Sequence, residues 1–433
     1  VVTIQKETVL ARSHLVSKGA ALAVGAVGLL ALTACSSGSP SASGGSNDPV
    51  TLTYAMWDAG QKPAMQAIAD AYTKAHPNVK IQLQLTPYKE YWTKLQTAMT
   101  GGSGPDVMWM NGPHFQLYAS GGVIAPLDDA GIDTANYPKP LVDLYTYDGK
   151  LYGAPKDFDT IGLWYNKKLF DAAGVKYPDS SWTWDTLKTS AAKLTDKAKG
   201  VWGISASQYS QENFYDTIAQ AGGYVISPDH KKTGYGTPEA AKGVQLWIDL
   251  IKAGSSPDAK QMSDTAPEDL FASGKVAMFY SGSWNAGIYG VDSTLKDTVN
   301  VAPLPKGPAG GQSVIHGLAN VANAKSSHVA EATSFVAFAS SKQAAELNNQ
   351  NHGPIPAFNG MQLSWVSAFP QYDLQHAFID AVATSVPYPI SKNTSAWNTL
   401  ETDAMTKIWS GQVSVEAGLQ ELATKMQAAL DGE

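Results

Sequence analysis

Cysteine is almost absent: Cys35 is the only one in 433 residues. With the leader around it set aside, no thiol remains, so disulfide frameworks, thiolate metal sites and cysteine nucleophiles are excluded. Histidine is scarce as well. The eight histidines are scattered, with no His-x-x-x-His pair, and neither a Gly-x-Ser-x-Gly elbow nor a phosphate-binding loop occurs. No block of Lys or Arg stands out, which removes the usual electrostatic footprint of a nucleic-acid partner. No internal repeat is visible, which excludes a solenoid. The long apolar run, Gly19 to Leu32, is too short to span a bilayer.

That run has a different use. Lys6, Arg12 and Lys18 precede it as a positive n-region, so residues 1–34 read as a signal peptide. It ends in Leu32-Thr33-Ala34-Cys35, which resembles the bacterial lipoprotein box. A plain secretory signal that happens to contain a cysteine is the alternative. By the resemblance, Cys35 becomes the acylated first residue of the mature protein, and two acyl chains suffice to hold a domain on a membrane surface. Ser36 to Pro49, rich in Ser, Gly, Pro and Ala, extend it as a flexible tether (35–49).

The body, 50–433, is too long for one ordinary domain, and two lobes are expected. With 44% hydrophobic and 16% charged residues it has the composition of a well-packed globular chain. The formal charge of −7 becomes −9 without residues 1–34, which hold three basic residues and one acid. The excess lies in aromatics, 12 Trp and 19 Tyr.

Strand and helix patterns alternate. Val50 to Trp57 reads as a strand, and Pro63 opens a helix with Met65, Ile68, Ala69 and Tyr72 on one face, stopped by Pro77. Val79, Ile81, Leu83 and Leu85 alternate with polar residues as a strand does, a helix follows over 88–99, and 106–110 is a short buried strand. This predicts an α/β lobe with a largely parallel core. Tyr147 to Gly153 reads as a hairpin, followed by Ala154 to Phe170, where Asp157, Phe158 and Asp159 precede the apolar strand Ile161–Tyr165. Beyond it come a helix over 184–198, a strand over 201–206, a long helix over 238–253 and a strand over 275–280. Ser281-Gly282-Ser283-Trp284 then turns sharply into another helix. This is a second α/β lobe. The chain ends in helices, the last with Val415, Leu419, Leu422, Met426 and Leu430 at core spacing.

Several short stretches, in this order and spacing, carry a resemblance: Leu52–Trp57, Gly104–Val107, Gly122–Leu127, Leu163–Lys167, Gly274–Met278, Gly282–Trp284 and the helix at Trp397. Together they resemble the extracellular solute-binding proteins of sugar-importing ABC systems, the group that includes the maltose-binding protein. The resemblance implies a two-lobe α/β fold of the periplasmic-binding-protein type, with three inter-lobe crossings and a ligand cleft between the lobes. The matching crossings fall near 154–160, 301–319 and 351–358. Lobe one is then 50–156 plus 312–352, and lobe two 160–304 plus 358–433.

A sugar presents a rim of hydroxyls and two faces of C–H groups, so its site stacks aromatics and supplies acceptors. A buried hydroxyl left unpaired costs roughly 1–3 kcal/mol, and carboxylates bind hydroxyls through charge-assisted bonds. Such groups belong at the C-terminal ends of strands. Trp57 and Asp58 end the first strand, and with the resemblance they read as site residues, the alternative being a core Trp and a turn Asp. Asn111, after the strand at 106–110, equally suits a helix cap, and His114 reads as a surface or packing residue. In the loop after 201–206, Gln208 and Glu212 are candidate hydroxyl partners. The resemblance implies a carboxylate role for Asp159, otherwise an ordinary strand-edge acid, and a stacking ring at Trp284. It also implies backbone contacts from His316-Gly317 and a second stacking ring at Trp397, which otherwise reads as a helix core residue. Tyr388 completes the set.

The expectation is a non-enzymatic, monomeric carbohydrate receptor without cofactor or metal, lipid-anchored on the outer face of the cell membrane. It would deliver its ligand to ABC permease subunits powered by separate ATPases. Plentiful acid pairs keep a glycoside hydrolase open, and an exposed aromatic platform would make a surface polysaccharide-binding lipoprotein instead.

Overall fold

The structure, a computed structural model, describes residues 49–433. The signal segment, Cys35 and all of the tether but its last residue lie outside the described residues.

Two β-sheets organise the chain. The strands, in order, are β1 (Val50–Met56), β2 (Val79–Leu85), β3 (Val107–Asn111), β4 (Thr146–Tyr147), β5 (Lys150–Leu151), β6 (Ala154–Pro155), β7 (Ile161–Asn166), β8 (Met278–Gly282), β9 (Val299–Ala302), β10 (Val314–Ile315), β11 (Leu318–Ala322) and β12 (Val386–Pro387). The first sheet has five strands in the order β2-β1-β3-β11-β6, and the second has three in the order β8-β7-β9.

In the first sheet β1 pairs in parallel with β2, Val50 opposite Val79, and with β3, Tyr54 opposite Val107. The parallel core is therefore present but bounded, because β11 runs antiparallel to both β3 and β6. The helix Lys62–Ala75 covers this sheet. Proline in its first turn lacks only an N–H that would be unpaired there anyway. Its buried face, Met65, Ile68, Ala69 and Tyr72, joins Leu52, Tyr54 and Phe335 in one core cluster. Each large apolar side chain so buried contributes about 1.5–3 kcal/mol relative to exposure.

In the second sheet β7 is central and antiparallel to both neighbours, Ile161 opposite Gly282 and Leu163 opposite Ala302. All six β7 residues are buried, which explains their continuous apolar run. Helices Trp184–Leu194, Pro238–Lys252, Thr394–Trp409 and Val415–Asp431 pack around this sheet. Thr183, Thr237 and Ser414 each cap one of them by accepting the amide N–H three residues on.

Two expected strands differ. Residues 201–206 are extended without forming one. Trp202 bridges the backbone at Lys275 and Ala277, Ile204 donates to Ser255 and Ser205 to Met278, so no single partner strand runs alongside. Gly203 lies so close to the helix before it that a Cβ would stand 2.0 Å from the Ala191 carbonyl oxygen. With 275–277 engaged by that bridge, β8 starts at Met278.

Three segments connect the territory of one sheet to that of the other: 156–160 between β6 and β7, 303–317 between β9 and β11, and 351–358 after the helix Lys342–Gln350. They lie side by side. Asp159 and His316 exchange backbone hydrogen bonds at 2.8 and 3.1 Å, while Phe158 donates to Ile355 at 3.0 Å and Ala357 to Lys156 at 3.1 Å.

Candidate functional site

A cavity of about 750 Å³ opens where these segments meet the ends of β1, β3 and β8. Trp57, Asp58, Asn111, Asp159, Gln208, Glu212, Trp284 and Tyr388 all line it, so eight of the ten residues singled out for ligand contact come together from distant parts of the chain.

Trp57 follows β1 and is packed among Tyr91, Trp109, Tyr88 and Trp92, with ring centroids 4.9 to 5.7 Å away. It therefore serves both the core and the cavity wall. Asp58 accepts from the Gly60 amide at 2.8 Å and from Gln61 Nε2 at 2.9 Å. Gln61 in turn accepts from Lys156 Nζ at 2.8 Å, and Lys156 pairs with Asp157 while lying 4.3 Å from the centre of the Trp109 ring. Asn111 sits at the cap position of the helix Gly112–Ser120 but makes no cap bond. Its Oδ1 meets His114 Nδ1 at 2.9 Å, and His114 stacks on Trp92 at 3.6 Å, the packing role expected for it.

On the other side, Trp284 owes its position to Gly282. A Cβ at residue 282 would lie 1.9 Å from the indole, so only glycine lets the ring fold back over the end of β8. Residues 208–212 approach as a loop running into a π-helical turn, Ser210–Phe214. Gln208 is tethered to the helix behind it through Thr406 at 2.9 Å. Gln211 Nε2 donates to Asp159, and Ser281 Oγ donates to Glu212 at 2.5 Å. The Tyr388 ring lies 4.7 Å from that of His316 and 5.5 Å from that of Tyr215.

The cavity's electrostatics are one-sided. Asp58, Asp157, Asp159, Glu212 and Glu268 line it, with no Lys or Arg among the lining residues. The chain's single arginine is Arg12, so residues 49–433 contain no guanidinium to grip an anionic solute. Burial pushes Glu212 up to about 8. Asp159 is held well above the usual carboxylate range by burial and then by the charge of Asp157. His316 is pushed down to about 3 by burial, so it is a neutral ring at physiological pH, and its Nε2 accepts from the Gly112 amide at 3.2 Å. A protonated Glu212 or Asp159 donates as well as accepts, which suits a hydroxyl. Among the described residues no group of three His, Cys, Asp or Glu is placed to hold a metal ion.

Two expected contacts lie elsewhere. Trp397 is fully buried in the core cluster around the second sheet, and its Nε1 donates to Ser391 Oγ at 2.9 Å. It faces inward with Glu401, Met405 and Ile408 of the same helix, at the spacing of a core stripe. Gly317 is a close-packing position: a Cβ would lie 2.4 Å from the Asp157 carbonyl oxygen, and its own carbonyl accepts from the Tyr145 hydroxyl at 2.5 Å. The sequence reading missed Gln61, Tyr88, Tyr209, Gln211 and Glu268 as lining residues, and took His316 only for its backbone. Tyr209 and Gln211 sit in the loop already singled out. Tyr88 and Glu268 begin helices of ordinary composition and carry no such signal.

Residues 58–346 match the family of bacterial extracellular solute-binding proteins, and the chain belongs to that family, one of binding proteins and not of enzymes. An ABC substrate-binding protein from Listeria monocytogenes, solved in complex with cycloalternan, is 27% identical with a TM-score of 0.82, over 89% of this chain and all of that one. The GacH receptor of Streptomyces glaucescens, solved unliganded and with acarbose, is 25% identical with a TM-score of 0.77, over 88% of this chain and 99% of that one. The galactooligosaccharide-binding protein of Bacillus subtilis (strain 168) is 27% identical over 64% of this chain and 65% of its own length.

Proposed function

We propose that this protein captures a mono- or oligosaccharide between two lobes and hands it to the membrane permease of an ABC importer. The observation that carries the reading is the meeting, in one cavity without a cation, of aromatic rings and carboxylates from both sheets. A relative named for galactooligosaccharide binding and a similar protein solved in complex with cycloalternan support the solute class. The lobes are 50–156 plus 312–352 and 160–304 plus 358–433, and the hydrogen-bonded segments near 157, 316 and 356 are the axis about which they close. Ligand contacts made to both lobes favour the closed form over the open one.

Within this reading Trp284, Trp57 and Tyr388 offer ring faces. Asp58, Asn111, Asp159, Gln208 and Glu212 bind hydroxyls. Cys35 carries the lipid that keeps a monomeric receptor at the outer membrane face, and Cys35→Ser releases the protein into the medium, as fractionation of expressing cells would show.

Calorimetry against a carbohydrate panel tests the central statement. Micromolar binding, about −8 kcal/mol, with the carbohydrate recovered intact is the expected result. Cleavage would favour a hydrolase, and no binding of any mono- or oligosaccharide would end the sugar assignment.

A further inference from the structure

The cavity lining is acidic, without a lysine or arginine, yet an ammonium stands one layer behind it. Lys156, on the first connecting segment, is buried, with its side chain 4% exposed. Ionised lysines ordinarily keep to the surface, and a buried one needs partners for its charge.

Its partners lie in three directions. Nζ donates to Gln61 Oε1 at 2.8 Å, pairs with the Asp157 carboxylate, and lies 4.3 Å from the centre of the Trp109 ring. An ammonium only donates, so Gln61 must turn its oxygen to Lys156 and thereby its nitrogen to Asp58. Gln61 Nε2 then donates to Asp58 Oδ2 at 2.9 Å, while the Gly60 amide donates to Oδ1 at 2.8 Å. Both oxygens of Asp58 are thus held, and a carboxylate with about four acceptor sites keeps two for a solute. Trp109 carries the second branch: its ring meets that of Trp57 edge-on, with centroids 5.1 Å apart. The third branch reaches the ends of the other two connecting segments. Asp157 Oδ1 accepts from the Leu318 amide at 2.9 Å, and the Lys156 backbone donates to Leu318 at 2.8 Å and accepts from Ala357 at 3.1 Å.

We propose that Lys156 is a positioning residue of the solute site. From the segment that joins the two sheets it fixes the acid and the ring at the end of β1, Asp58 through Gln61 and Trp57 through Trp109. Lys156 does not line the cavity, so a solute meets its effect only through those two side chains. The role rests on the carbohydrate reading above and deepens it, because Asp58 and Trp57 are solute contacts in that reading.

The test is calorimetry with α-linked glucose and β-linked galactose sugars, from the monosaccharide to the tetrasaccharide, on wild type and two variants. Gln61→Glu keeps an acceptor for Lys156 and removes the donor to Asp58. Lys156→Met together with Asp157→Asn removes both charges of the buried pair, so neither is left alone, and the new amide oxygen still accepts from Leu318. At pH 8 each variant should keep the wild-type circular dichroism and bind the preferred sugar at least about fivefold more weakly. The Gln61→Glu deficit, taken against wild type at the same pH, should shrink to about twofold at pH 5, because two facing carboxyls share a proton. The introduced carboxyl, with Asp58 on one side and the Lys156–Asp157 pair on the other, then donates to Asp58 again. The deficit of the paired variant should not change with pH, since that variant adds no acid. A paired variant that binds as wild type does, or a Gln61→Glu deficit that ignores pH, makes Lys156 purely structural and overturns the role while leaving the receptor function intact. Should the paired variant fail to fold, Gln61→Glu decides by the same criterion. Wild type that binds none of the sugars overturns the carbohydrate reading and this role with it.

Discussion

The two walls of the cavity are built differently. The wall carried by the five-stranded sheet is complete without a ligand: Asp58 is held by Gly60 and Gln61, Asn111 by His114, and Trp57 by four aromatic neighbours. The wall carried by the three-stranded sheet is not. Behind it, buried polar atoms of Asn213, Asp216, Tyr280, Ser283 and Tyr289 have no partner among the described residues, whereas behind the first wall Trp92 Nε1 alone is in that state. Burial also raises Glu212 and Asp216 on the second side. The polar groups of the first wall are satisfied within the protein, whereas the second wall rests on a layer of buried polar atoms that are not.

The strongest way to break the contrast is to remove the first wall's anchor. Lys156→Met leaves Asp157 buried without its ion pair, and losing one partner of a buried pair costs about 3–5 kcal/mol. Chemical denaturation should register that loss, while Lys139→Met, at an exposed pair, should change stability by less than about 1 kcal/mol.

Next in size is the second wall's aromatic surface. Trp284→Ala and Asp159→Ala should each weaken carbohydrate binding at least about tenfold, or about 1.4 kcal/mol, with unchanged circular dichroism. Gly282→Ala should do the same with the tryptophan still present, because its methyl group occupies the ring's place. Wild-type affinity in all three would remove the second wall from recognition.

A separate test is of pH dependence. Glu212 is raised from 4.5 to about 8 in the folded chain, so the folded state holds this proton where the unfolded state has lost it. Stability is fully present below pH 4.5 and falls as pH rises toward about 8; Glu401, raised by burial to about 7, adds to the same slope. Thermal melts of the ligand-free protein between pH 5 and 9 should show this decline, and Glu212→Gln should make it shallower. An unchanged slope would mean that Glu212 is solvated like a surface acid.

Much of the fold was legible in the chain because local rules act there. Pro63 and Pro77 bracket the helix Lys62–Ala75. The hairpin at 146–151 turns through Asp148 and Gly149, both with positive φ, as the Asp-Gly pair suggests. The site was legible where a strand end or a glycine turn aims a side chain, as at Asp58 and Trp284. Trp284 and Trp397 show the limit. Both were proposed as stacking rings, yet one follows a turn that only glycine permits, and the other sits on the inner stripe of a helix.

The residues alone settled the exclusions and the chemistry on offer: no thiol or arginine in the described chain, abundant aromatics and acids, and alternating strands and helices. These depend on composition and on neighbours a few positions apart. Which acids would share a cavity, that Glu268 would join them, and that the Tyr289 hydroxyl would be buried without a partner were decided only by tertiary packing. Each depends on segments separated by tens to hundreds of residues, and no local periodicity records which of them will meet.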